Sequence, residues 1–187
     1  MIGSDLEYLM SSLPYLAFEN TKEAKEQILN LLHRYEGSDQ KSSSPIDILD
    51  NEAGKFLSPK SFEDFQKIDL NSIHHTFFHN HTSQVVSDFS KSMLQHRKAL
   101  SEWRNPDVEK KSNHADLVSL LKDLNPLERE EYLLGHQWKI LDDLASGHFA
   151  DLDALIIYKL KLSILMRWWS FDAQKGYDKF IQITAKN

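Results

Sequence analysis

A chain of 187 residues that is 41% apolar and 27% charged has the size and balance of a globular protein able to bury a core without disulfide or metal staples. A net charge of −6, with no run of Lys and Arg, argues against a general nucleic-acid binder, which needs a basic face to displace counterions from phosphates. The absence of Cys excludes a disulfide scaffold, a thiolate metal site and a cysteine nucleophile.

The opening residues Met1 to Asp5 hold no basic region followed by an apolar run, so no secretory signal is expected and cytoplasmic residence follows. Leu6 to Leu13 is apolar and ends at Pro14, which fits either a short helix or an extended piece packed on the core. In the next segment Ala24, Ile28, Leu31, Leu32 and Tyr35 recur at three- and four-residue steps, the period of a helix. Asn20 is the expected N-cap, with Glu23 three residues on. Residues 37–45 are a loop by composition. A short helix is expected over Pro45 to Glu52. Another starts at Ser58-Pro59, with Phe62 and Phe65 on one side. A long helix ends near Trp103 and carries Val85, Val86, Phe89, Met93, His96, Leu100 and Trp103 as one stripe. Asn105-Pro106 stops it, residues 110–113 form a polar connection, and Leu117 to Leu124 reads as a short helix.

Asn125-Pro126-Leu127-Glu128 is the clearest helix start: Asn caps, Pro sits at the first helical position, and Glu reaches back to the cap. Leu127, Leu134, Trp138, Leu141 and Ala145 mark the core-facing stripe of this helix, and Gly147 is its expected C′ residue. Asp151 and Asp153 then open a helix that is apolar nearly all round from Leu152 to Trp169. Its length suits a membrane span, but Lys159, Lys161 and Arg167 interrupt it, and Lys159 would sit near the bilayer centre. The stretch therefore reads as the buried centre of the fold. Asp172 starts a last helix with Tyr177, Phe180, Ile181 and Thr184 on one face. No strand alternation persists, so the fold class is all-α, a multi-helix bundle formed by residues 1–187 as one domain, with a weak division near 105–113 into two halves.

His74, His75, His79 and His81 fall in one short segment. On an α-helix His75 and His79 share a face at i, i+4, the spacing of two zinc ligands. No Glu follows the first His, so the metalloprotease pattern is absent, and packing histidines in a helix start or loop are the plainer reading. Asp142-Asp143 and Asp151-x-Asp153 could supply paired carboxylates, but they fall where helix-end residues ordinarily fall. No Gly-x-Ser-x-Gly elbow and no phosphate-cradling glycine loop occurs. Trp168 and Trp169 lie 100° apart on one helix. They cannot both face inward unless a neighbour such as the last helix covers them, so Trp169 is a candidate partner anchor. Tyr158, Lys159, Lys161 and Arg167 put polar tips on the rim of the apolar helix, where they either pair with acidic neighbours or meet a partner.

Three stretches resemble a bacterial family encoded beside V-type ATPase genes and similar to a shortened form of that machine's C-type subunit, the one called d in eukaryotes. They are Tyr8 to Phe18, Asn125 to Glu128, and Phe149 to Trp168 with its pattern Leu-Asp-Ala-Leu…Tyr-x-Leu-Lys-Leu-x-Ile-Leu-x-Arg-Trp. The resemblance implies modules of an all-α funnel that joins the central shaft to the membrane rotor ring and performs no chemistry. It implies other V-type ATPase subunits as partners, no catalytic residue, no cofactor, and a cytoplasmic location at the periphery of the inner membrane; the charge balance and the interrupting Lys and Arg residues separately imply no nucleic acid and no membrane insertion. The present chain is short for a C-type funnel and could supply only part of one. Two other readings stay open: a helical metal-dependent hydrolase using the His74–His81 cluster, and a generic helical adaptor.

Overall fold

Helices begin where a side-chain oxygen can reach the free amides of the first turn. The computed structural model describes residues 3–35, 44–104, 120–172 and 181–182, and several of its helix starts follow that rule. Helix α1 spans Gly3–Ser12, which settles the first segment as a helix. Helix α2 spans Lys22–His33 and is capped by Thr21, whose Oγ1 accepts from the Ala24 amide at 3.2 Å; Asn20, the expected cap, stands one residue too early. Ser44 caps α3, Pro45–Gly54, in a reciprocal capping box with Asp47. Ser58 caps α4, Pro59–Lys67. A short 3-10 helix follows at Thr76–Asn80, then α5 over Gln84–Arg104. The Asn125–Glu128 capping box opens α6, Pro126–Leu144, and Asp151 caps α7, Leu152–Trp169. Among the described residues there is no strand, so the fold is an all-α bundle. All but the last two residues of the loop expected at 37–45, the connection and division at 105–113, and nearly all of the helix expected from Asp172 lie outside the described residues.

Helix α7 is the axis of the bundle. It packs against α1, α3, α5 and α6. Leu155, Ile156, Leu160, Leu162, Ile164 and Leu165 on it are all but inaccessible to water. A helix apolar on every side is stable in water only when neighbours cover every side, and these four supply that cover. From α5 the stripe Val85, Val86, Phe89 and Met93 enters the same core. From α6, Leu134, Trp138 and Leu141 do so, whereas Leu127, expected in that stripe, is exposed on the first turn. Gly147 has a φ of +90°, but it stands two residues past the Ala145 C-cap rather than next to it.

Lys159 is the polar exception inside this core, with only 3% of its surface exposed. Its Nζ lies 2.8 Å and 3.1 Å from the two carboxylate oxygens of Asp50 on α3, and it donates to the Phe65 carbonyl of α4 at 3.0 Å. The ammonium also sits 4.4 Å from the centroid of the Phe65 ring. On another side of the helix, the hydroxyl of its neighbour Tyr158 donates to the Pro14 carbonyl at 2.9 Å. The polar atoms of an otherwise apolar helix thus tie it to three different parts of the chain. Among the described residues no helix is long and apolar enough to cross a membrane.

Removing one partner of a buried ion pair leaves the other charge uncompensated. Asp50→Ala should therefore lower the unfolding free energy in urea by about 3–5 kcal/mol. Lys159→Met should cost less, because the charge left behind, on Asp50, keeps some contact with water. A negligible loss in Asp50→Ala would show that the pairing is not what matters.

Candidate functional site

The histidine segment does not bring the candidate ligands His75 and His79 together as a pair on one helix face. His75 is the N-cap of the 3-10 helix rather than a residue within an α-helix. At three residues per turn, positions four apart point about 120° away from each other, so His75 and His79 lack a common face. His81 accepts through Nδ1 from the Ser83 amide at 3.1 Å. The carbonyls of His75 and His79 accept from Ser90 and Ser87 of α5. Among the described residues no group of three or more His, Asp or Glu side chains converges as a metal site.

The four candidates on α7 separate by environment. Lys159 is enclosed in its pair with Asp50 and offers nothing to a partner. Lys161 pairs with Asp142 of α6 and lies over the Trp138 ring. Arg167 pairs with Glu130 of α6 at 2.9 Å and remains half exposed. Trp169 donates from Nε1 to the Glu19 carbonyl at 3.1 Å. Its neighbour Trp168 donates to Glu131 at 3.1 Å and stacks on Phe18, with ring centroids 4.3 Å apart. The N-terminal segment therefore covers both tryptophans from one side. Gly135 makes that cover close-fitting, since a Cβ there would stand 3.3 Å from the Phe18 ring. Of the two roles open to the polar tips on α7, pairing with acidic neighbours is the one their geometry displays for Lys159, Lys161 and Arg167.

Two of the concave surfaces among the described residues bear on function. The first is an apolar groove of about 340 Å³ where the end of α1 and residues 13–16 meet the α6–α7 loop and the first turns of α7. Leu13, Leu16, Ala154 and Ile157 form its floor. Tyr15 and Phe149 stand at its lips, 88% and 81% exposed, far more than such rings ordinarily show in a covered surface. The loop bearing Phe149 is held by local chemistry. Gly147 supplies the left-handed turn. The His148 Nδ1 lies 2.7 Å from Asp151 Oδ2, while Asp151 Oδ1 accepts from the Ala154 amide at 2.8 Å. The carboxylates of this loop therefore serve as helix-end groups. Tyr158 backs the groove, and burial pushes its hydroxyl pKa far upward, so it stays a neutral donor.

The second surface is a cleft of about 620 Å³ between α5 and α6, closed at one end by Arg167. Its floor includes Leu70, Met93, Leu133 and Leu134, and its rim carries Arg97 and Arg104 of α5. His74 also faces it, its pKa lowered by burial and by the charge of Arg97. Sequence reading missed both surfaces. The sequence signal for the cleft is the seven-residue spacing of Arg97 and Arg104, which keeps them on one helix face. No period marks Tyr15 or Phe149, because both lie outside helices.

Residues 67–186 match a family described as a protein of unknown function, DUF2764. The chain belongs to that family. No curated protein and no solved structure matches the chain. The matched region takes in α5, α6 and α7, and so both helices that wall the cleft; α1 to α3, with the Tyr15 lip of the groove, precede it.

The hydrogen bond to Asp151 raises the pKa of His148 above its ordinary 6.5. A raised histidine pKa gives stability that is full below the unfolded value and is lost as pH rises through the folded one. NMR titration should place the His148 imidazole above 6.5, and Asp151→Asn should return it toward that value. An unchanged titration in Asp151→Asn would show that the loop is held by other means.

Proposed function

We propose that the chain is a non-enzymatic, protein-binding subunit or accessory protein of a bacterial V-type ATPase, similar to the C-type subunit and acting between the central shaft and the membrane rotor ring from the cytoplasmic side. One observation carries this reading. The stretches Tyr8 to Phe18 and Phe149 to Trp168, which bear the resemblance to the ATPase-linked family, are distant in sequence but meet at the groove between Tyr15 and Phe149. Two aromatic rings left in water beside an apolar groove are the composition of a protein-interface anchor.

The body behind the groove suits a mechanical role. A coupler must transmit force without deforming. Here α7 is wedged among four helices, and its polar atoms are tied to α3, α4, α6 and the segment after α1. Interiors packed in this way resist compression and pass displacement on to their neighbours.

Affinity purification of the tagged chain from its native host at low detergent tests the proposal. Shaft and rotor proteins of the ATPase should co-elute. The double variant Tyr15→Ser/Phe149→Ser should reduce their recovery by about tenfold or more. Its melting temperature should stay put, because neither ring is buried in the free chain. Absence of every ATPase component from the wild-type eluate would refute the role.

A further inference from the structure

We propose that the cleft between α5 and α6 docks an acidic amphipathic helix of a partner protein. The inference concerns a surface separate from the aromatic groove and holds whether or not the partner belongs to an ATPase.

Charge is the first argument. Among the described residues, three arginines, Arg97, Arg104 and Arg167, line the cleft against one carboxylate, Glu130. Glu130 pairs with Arg167. Neither Arg97 nor Arg104 has an ion-pair partner among the described residues. Within a chain of net charge −6, the described residues therefore gather unpaired positive charge in one concavity. Such a focus attracts acidic ligands and speeds their approach.

Spacing and floor decide which acidic ligand fits. Arg97 and Arg104 are seven residues apart on a continuous helix, hence about 10.5 Å apart along its axis and on one face. Carboxylates at i and i+7 of a second helix have the same repeat, so a helix lying alongside α5 meets both guanidiniums with one face. Beside the arginines the floor carries Met93 and Leu100 of α5 and Leu133 and Leu134 of α6, with His96 and Gln137 as its polar members. Leucines beside the carboxylates of an amphipathic helix would cover that floor, in the manner of helix-in-groove recognition. Inorganic phosphate would use neither the repeat nor the floor.

The test uses the full chain and a fluorescein-labelled amphipathic helical peptide with glutamates two turns apart beside a leucine stripe, read by fluorescence anisotropy. Binding should occur and weaken as salt rises. Arg97→Gln/Arg104→Gln should lose about tenfold or more in affinity, as should the peptide with glutamine in place of glutamate. Arg34→Gln, on the exposed end of α2, should keep both affinity and melting temperature. The groove variant Tyr15→Ser/Phe149→Ser should bind the peptide normally, which separates failure here from failure of the ATPase role. Four results would overturn the proposal: no binding, binding indifferent to the arginine variants, full displacement by phosphate at ionic strength matched with chloride, or self-association of the wild-type chain that is abolished by the arginine variants.

Discussion

A lysine ammonium held in the middle of an apolar helix constrains the rest of this structure. The desolvation of Lys159 would cost several kcal/mol if its charge went unanswered. The answer comes from Asp50 on α3 and from the Phe65 carbonyl at the end of α4, with the Phe65 ring beneath the ammonium. Hydrophobic packing alone has no direction and would tolerate sliding or rotation of α7. The charged contact tolerates neither, because only one register places Nζ within reach of all three groups. A pair of this kind adds little net stability compared with apolar replacements, and its clearest contribution is to select one arrangement.

Once α7 is set, both concave surfaces are set with it. Ile157, Tyr158 and Lys161 present the floor and back of the aromatic groove, and nearly two turns further on Arg167 closes the arginine cleft. Each surface has its own local support. The turn at Gly147 and the His148–Asp151 contact hold the Phe149 lip, and the capping box at Asn125 fixes where α6 begins. The two surfaces differ in chemistry, aromatic on one side and cationic on the other. If both surfaces dock partners as proposed, a stiff body of this kind meets the requirement of an adaptor between two larger components.

The histidine segment illustrates the limits of spacing as an argument. Its residues are right for a metal site, but the backbone takes a 3-10 path that turns His75 and His79 apart. The serines of α5 reach across to the carbonyls of that path, so the turn is fastened by α5 as much as by its own sequence. Likewise Trp168 and Trp169 suggested a free aromatic anchor. A stretch 150 residues upstream accepts from Trp169 and covers both rings, and the most exposed aromatics among the described residues turn out to be Tyr15 and Phe149.

Much of the fold was legible in the chain alone. The helical period of the α5 and α7 stripes, the caps at Ser58, Asn125 and Asp151, and the need to bury a helix apolar all round are properties of neighbours three or four residues apart. Even the choice of a buried rod over a membrane span followed from Lys159, Lys161 and Arg167, above all from Lys159 near the middle of the stretch. Its partner did not, since Asp50 lies 109 residues away and nothing local points to it. The groove was illegible for the same reason: its lips come from segments brought together by the packing of α1 and α7 and by the Tyr158–Pro14 hydrogen bond. Periodicity and capping are local forces and can be read along the chain. Which charge meets which, and which rings stay in water, depend on contacts closed over long loops, and only the folded arrangement decides them.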